Sequence, residues 1–274
     1  MIRASAAMRH IALLMMLLAP CGSFAQFDQQ HTAWTDLLKK HVVVVDGGKA
    51  SRVSYAGFAR DRARLKAYLA TLSSVSRHDF NEWSKPRQLA FLINAYNGQM
   101  VELILTRYPD IKSVWDFGKI FNNPFKIKFF NLLEREASLD QIEHELIRAP
   151  GVYDDPRVHF AVNCASVGCP MLREEAYTGD RLDAQLDDQT SRFLADRTRN
   201  RYNATDGKLE VSAIFDWYGG DFSHSARGIA SREDFFANHA NLLADDAAAR
   251  RRIASKLAPL RFLEYDWRLN DAGR

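Results

Sequence analysis

The densest run of reactive side chains lies at 155–170 and contains His159, Cys164 and Cys169. A cysteine becomes an effective nucleophile when a base within hydrogen-bond reach takes its proton. Such nucleophiles attack carbonyl carbons, and they cleave or transfer acyl groups at amide or peptide-like bonds. The run therefore predicts a cysteine-dependent hydrolase or acyl-transferase with Cys164 as the nucleophile.

The relation between His159 and Cys164 depends on the local backbone. The apolar segment 158–162 is typical of a buried strand, and in one regular strand their five-residue separation puts the two side chains on opposite faces. A bend at Asn163 relaxes this restriction. A helix beginning at Ala165 would lower the pKa of Cys164 and favour the thiolate. His159 is thus a candidate base, and its structural alternative is a hydrogen-bonded core histidine.

A second candidate base, His144, belongs to the helix predicted before this strand. That helix can pack across the strand and aim the imidazole at Cys164. The adjacent Glu143 is the nearest carboxylate that can orient a histidine. Because neighbouring helix residues point about 100° apart, Glu143 can also serve the site directly, or act as a first-turn acid. Backbone amides from Cys164 to Ser166 are candidate donors to an oxyanion.

Cys164 and Cys169 also allow two other kinds of site. In an oxidising compartment, cysteines at this spacing can form a disulfide that pins the loop. With His144 and His159 they supply residue types that bind zinc, although the spacing is not a standard one. The sequence leaves these alternatives open, and our prediction contains neither a metal nor a cofactor.

The elements that must position these residues are mainly helices, which indicates a helix-rich α+β fold: one domain with a small, mainly antiparallel sheet. Apolar periodicity predicts helices at 33–40, 60–72, 81–108, 138–148, 182–196, 232–243 and 247–257. Strands are predicted at 41–45, 126–133, 158–162, 209–211 and 261–265. Ser138 and Gln141 form a capping-box pattern at the start of the helix that carries Glu143.

Several polar and aromatic residues have structural roles as their first interpretation. Asn94 and Asn97 share one face of the longest helix, and buried amides must be hydrogen-bonded, so they brace the fold or reach into the site. Bracing is the commoner role. Trp217, Tyr218 and Trp267 are expected in the core or in a pocket wall.

Composition is that of an ordinary globular protein. The 274 residues are 47% hydrophobic and 26% charged, which excludes disordered and collagen-like chains. Lys and Arg total 37 against 34 for Asp and Glu, so no basic footprint predicts nucleic-acid binding.

The N-terminal segment 1–25 is typical of a secretory signal peptide. A basic start precedes the apolar run 11–19, and Ser23 and Ala25 are the small residues that a signal peptidase reads. Cleavage after Ala25 would leave one globular domain, 26–274, in the periplasm or secreted, without an integral membrane segment. Lipid anchoring through Cys21 is less favoured, because Pro20 stands where a small residue is expected.

Six short motifs together resemble one known family. Segments 91–97, 138–144, 155–170, 214–218, 221–222 and 265–270 are similar to the family of unknown function numbered 547. The resemblance implies a fold related to papain-like or transglutaminase-like cysteine enzymes, with Glu143, His144 and Cys164 as the site. Here the acid and base precede the nucleophile, whereas in papain the cysteine precedes the histidine, so any likeness is geometric.

The combined prediction is an exported cysteine-dependent hydrolase or acyl-transferase. Its partner would be a peptide or a small amide- or thiol-containing substrate. The alternative is a non-catalytic periplasmic binding module with a Cys164–Cys169 disulfide.

Overall fold

The longest helix, α5 (Lys85–Leu105), is the central element of the fold. The computed structural model describes residues 27–118, 123–223 and 227–274, so the predicted signal peptide and Cys21 lie outside the described residues. Almost every α5 residue from Gln88 onward is buried, as expected for a helix that is packed on all sides. The other helices and the strands pack either around α5 or around a separate cluster of aromatic side chains, described below.

Helices account for most of the regular structure, and the helix-rich α+β prediction is confirmed. The other α-helices are α1 (Thr32–His41), α2 (Tyr55–Arg60), α3 (Arg62–Ser73), α4 (Arg77–Glu82), α6 (Leu182–Ala195), α7 (Ile214–Trp217), α8 (Arg232–Asn238), α9 (Ala240–Leu243) and α10 (Ala247–Ala254). A π-helix spans Gln141–Ile147, and short 3₁₀ segments include Pro156–Phe160 and Gly219–Phe222. No described helix has both the length and the hydropathy needed to cross a membrane.

The strands are short and mainly antiparallel. They are β1 (Val42–Val45), β2 (Ala50–Val53), β3 (Phe130–Leu132), β4 (Arg135–Ala137), β5 (Arg201–Asn203), β6 (Lys208–Val211) and β7 (Leu260–Phe262). The pairs β1–β2, β3–β4 and β5–β6 are antiparallel, whereas β6–β7 is parallel. The β3–β4 turn places Leu133 and Glu134 at φ 50° and 67°, in the left-handed region that glycine adopts most readily.

Two hydrophobic clusters form the core. The larger one contains α5 with Trp34, Phe58 and Leu139. The smaller one is rich in aromatic rings and includes Phe160 and Phe215. His159, next to Phe160 in the chain, therefore comes from the segment that enters the aromatic cluster.

Three predictions of secondary structure are wrong, and one of them is the helix at 232–243, which is divided at His239. The helix predicted at 81–108 is divided at Trp83 and Ser84, which are extended. Pro86 cannot continue a helix from α4, because it lacks an N–H and its ring clashes with the preceding turn, but it is tolerated in the first turn of α5. The strand predicted at 158–162 is instead the 3₁₀ segment that Asp155 caps.

Candidate functional site

All four predicted site residues line one cavity of about 370 Å³. They are Glu143, His144, His159 and Cys164. Aromatic side chains supply much of the remaining wall: Tyr96, Trp115, Phe125, Trp217, Tyr218, Tyr265 and Trp267. The cavity therefore brings the residues of the predicted chemistry together.

The π-helix brings Glu143 and His144 to this cavity. The capping box predicted from the sequence is present, since the Ser138 and Gln141 backbone amides each donate to the other's side chain at 3.2 Å. The wide turn is closed by the bond from Arg148 N to Glu143 O, at 2.9 Å. π-helical turns occur frequently at functional sites.

His159 is held by a carboxylate from a distant part of the chain. Its Nε2 lies 2.7 Å from Oδ2 of Asp221, and the imidazole is buried against the ring of Tyr218 at 4.0 Å between centroids. Arg148 donates two hydrogen bonds to the same carboxylate, at 2.6 and 2.9 Å. Partial burial alone would raise the pKa of Asp221, but the bonds from His159 and Arg148 outweigh it and hold that pKa well below its ordinary range.

This arrangement selects one tautomer of His159. An ionised carboxylate only accepts hydrogen bonds, so Nε2 carries a proton and donates it to Asp221. In the neutral ring the lone pair is then on Nδ1, which has no hydrogen-bond partner within the described ranges. An imidazole oriented by a carboxylate through one nitrogen, with the other free, can act as a general base.

His144 lacks that property. Its Nδ1 lies 2.6 Å from Nη1 of Arg148, and a guanidinium can only donate, so Nδ1 is the acceptor. The neutral ring then carries its proton on Nε2, which lies 3.8 Å from Asp140. The structure therefore leaves His144 without a lone pair for Cys164, and the choice between the two histidines favours His159.

Glu143 does not hydrogen-bond to either histidine in the part of the chain described. Its Oε1 accepts a hydrogen bond of 2.8 Å from the hydroxyl of Tyr218. Burial, with the nearby charge of Glu143, raises the pKa of Tyr218 well above its ordinary value, so this hydroxyl stays a neutral donor. The orienting role predicted for Glu143 is occupied by Asp221, which lies in the motif 221–222 and is not among the predicted site residues.

Cys164 is joined to Cys169 by a disulfide, with 6.1 Å between the Cα atoms. Cys169 is buried, whereas Cys164 is partly exposed. Two hydroxyls contact the Cys164 sulfur: Ser166 at 3.0 Å and Tyr265 at 3.1 Å. The Cys164 sulfur therefore lies beside hydroxyl groups that can stabilise a negative charge once the disulfide is opened.

The backbone after Cys164 is a loop, so the helix considered there is absent. Ala165 has a left-handed φ of 63°, and its N–H donates to the Asn163 side chain at 3.0 Å. The N–H of Cys164 points to the sulfur of Cys169, at 2.8 Å. The amides of Cys164 and Ala165, both predicted as oxyanion donors, therefore already make hydrogen bonds. Of these two, movement of Cys169 would release only the amide of Cys164.

Asn94 and Asn97 brace the structure, as predicted. Asn97 donates to the carbonyl of Ala161 and accepts from the N–H of Asn163, at 3.0 and 2.8 Å. Asn94 makes the same pair of bonds to the backbone of Tyr177, at 2.7 and 3.0 Å. Asn97 thus ties α5 to the residue that precedes Cys164.

The zinc site considered from the sequence is not formed. Both sulfurs are used by the disulfide, and within the described ranges no group of three or more His, Cys, Asp and Glu side chains is placed to hold a metal ion.

Comparison with known proteins gives one match. No curated protein and no solved structure matches this chain. Residues 80–194 match a family, and this segment includes α5, the π-helix, His159 and the disulfide loop, while Asp221 lies beyond it. The resemblance found in the motifs is thereby confirmed for this segment, whose family is described as Protein of unknown function, DUF547.

Proposed function

We propose that this protein is an exported cysteine-dependent hydrolase or acyl-transferase that acts on an amide or peptide-like bond when Cys164 is reduced. The observation that carries the proposal is that Cys164 and the Asp221-held imidazole of His159 line the same cavity. A likeness to papain-like or transglutaminase-like enzymes is part of this proposal. Export rests on the sequence of residues 1–25.

The first step is opening of the disulfide by a thiol reductant. Two reductant thiols supply two electrons and two protons, and they leave as a disulfide while Cys164 and Cys169 become thiols. The buried Cys169 then has no role in the chemistry except to close the bond again.

Acyl transfer follows from the reduced state. Cys164 gives its proton to Nδ1 of His159 and attacks the substrate carbonyl carbon, and the oxyanion forms beside the hydroxyls of Ser166 and Tyr265. Collapse breaks the bond to the amine, which leaves with the proton from His159. Water or an acceptor amine then attacks the thioester and releases Cys164. Asp221 keeps the imidazole in the required tautomer.

A second candidate is a binding module in which the disulfide is permanent. The specific observation in its favour is the Cys164–Cys169 bond itself, which leaves no nucleophile in the oxidised protein. In this case the aromatic cavity would bind a ligand without transforming it.

Thiol labelling of the mature protein separates the two functions. Iodoacetamide is applied with and without prior reduction, followed by intact and peptide mass analysis, and acylation is tested with p-nitrophenyl acetate on the reduced protein. We expect Cys164 to be labelled faster than Cys169 after reduction and to accumulate an acetyl adduct. His159→Gln should abolish the acceleration, whereas His144→Gln should retain it.

Two results favour the binding module instead. One is a disulfide that a thiol reductant does not reduce in the native protein. The other is a reduced Cys164 that reacts no faster than an unactivated thiol and forms no acetyl adduct. Equal sensitivity to the two histidine variants would contradict the assignment of His159.

A further inference from the structure

We infer that the cavity selects a substrate carrying a positively charged amine beside an apolar segment, an inference that rests on the proposed function for its catalytic meaning. The described lining contains the carboxylates of Asp140 and Glu143 and two histidines, and it contains no lysine or arginine. A cavity whose fixed charges are all negative attracts cations and repels carboxylates.

The charged groups next to the cavity lining do not reverse its negative charge. The charge of Arg148 reaches Glu143, but its two bonds to a carboxylate are made with Asp221. Among the described groups next to Glu143, the carboxylates of Asp140 and Asp221 share its sign and the guanidinium of Arg148 opposes it. No described lysine or arginine forms an ion pair with Glu143 or Asp140, so both keep the capacity to bind a cation.

Glu143 is a buried hydrogen-bond acceptor and not an exposed surface carboxylate. It is 8% exposed, and the hydroxyl of Tyr218 donates to Oε1. Burial, followed by the charge of Glu143, also raises the pKa of Tyr96, so this hydroxyl remains protonated beside the carboxylate. A carboxylate that faces neutral hydroxyls, in a cavity partly shielded from water, interacts with a cation more strongly than one in bulk solvent.

The aromatic wall of the cavity can bind the apolar segment of the substrate. Trp217 is 48% exposed at the cavity, stacks on Trp267 at 5.7 Å and contacts Tyr265 at 4.8 Å between centroids. Trp115 extends the wall through an edge contact with Trp267, at 5.2 Å between centroids. Exposed ring faces beside carboxylates favour an alkyl chain that ends in an ammonium group, through apolar contact and cation–π attraction.

The test uses oxidised, full-length protein, so it does not depend on catalysis. Binding of n-butylammonium, n-butanol and butyrate is followed by tryptophan fluorescence and by NMR line broadening of the probe. We expect butylammonium to bind at least about tenfold more tightly than butyrate, with an affinity that falls as salt is raised. Glu143→Gln should weaken butylammonium about tenfold and leave butanol unchanged.

Matched variants keep the result interpretable. Glu145→Gln removes an exposed carboxylate from the same helix and should leave all three affinities unchanged. Asp140→Asn provides a second cavity variant if Glu143→Gln does not fold, and it too should weaken butylammonium. Equal binding of butyrate and butylammonium, or an effect of Glu145→Gln as large as that of Glu143→Gln, would overturn the inference. Loss of acylation with retained butylammonium selectivity would refute only the catalytic proposal.

Discussion

Nε2 of His159 lies 2.7 Å from Oδ2 of Asp221, although 62 positions separate the two residues in the chain. The same carboxylate receives both hydrogen bonds from Arg148, whose Nη1 contacts His144. One guanidinium therefore fixes the acid that orients His159 and occupies the nitrogen that His144 would need as a base.

Asp221→Asn should slow the reaction of reduced Cys164 by about 100-fold, because an amide can donate to Nε2 and favour the wrong tautomer of His159. The measurement is the rate of iodoacetamide labelling of Cys164 as a function of pH. Asp36→Asn, which changes an exposed carboxylate, is the control. An Asp221→Asn protein that folds and labels at the wild-type rate would remove Asp221 from the mechanism.

Cys169→Ser should make Cys164 reactive without a reductant, because no partner remains to close the disulfide. The bond closes a loop with a sequence separation of only 5, so its loss should lower the free energy of unfolding by about 2 kcal/mol. Urea denaturation and labelling of unreduced protein check the two effects. A folded Cys169→Ser protein whose Cys164 stays unreactive would argue for the binding module.

Asn97→Ala and Asn94→Ala should destabilise the protein to similar extents, by about 2–4 kcal/mol each, since each leaves one backbone N–H and one carbonyl unpaired in the core. Only Asn97→Ala should also slow labelling of Cys164, because Asn97 holds the amide of the neighbouring Asn163. Unfolding by urea gives the first comparison and labelling under native conditions gives the second. Equal slowing by both variants would indicate a general loss of stability.

The free energy of unfolding should fall by about 3 kcal/mol as the pH drops from 6.5 to about 4, with His31 as a main source. Burial lowers the pKa of this histidine to about 4, and Nδ1 lies 2.8 Å from the Tyr68 hydroxyl. Between these pH values the unfolded chain binds a proton that the folded chain does not, so stability present at neutral pH is lost on acidification. Burial also lowers the pKa of His41, which adds in the same direction.

Urea midpoints measured at pH 7 and pH 4.5 test this prediction. His31→Gln should flatten the dependence, whereas His78→Gln, which changes an exposed side chain, should not. A His31→Gln protein with the wild-type slope would assign the acid sensitivity to other groups.

Local patterns in the sequence predicted several elements correctly. The apolar periodicity of α5 and the Ser138 capping box can be predicted from the sequence, because both depend on residues within a few positions of each other. The apolar run at 158–162 was misleading, since a buried strand and a buried 3₁₀ turn need the same residue types. Here the proline at 156 and the cap from Asp155 favour the tighter turn.

The candidate site was predictable only in its residue types. His159 and Cys164 were identified, but the partner of His159 was not, because Asp221 approaches it through tertiary folding and no local spacing indicates that. The tautomers of His159 and His144 depend on the positions of Asp221 and Arg148 in the folded chain.

The contact between Cys164 and Tyr265 spans 101 positions of the chain, whereas the disulfide spans 5. Closing the shorter loop costs roughly 3 kcal/mol less in chain entropy, so during folding the two cysteines meet well before Tyr265 arrives. Residues near Tyr265 then hydrogen-bond to Val167 and Gly168 and cover the loop. In an oxidising compartment the disulfide can therefore form while the loop is still open, and the cavity wall is then added to a loop that the bond already closes.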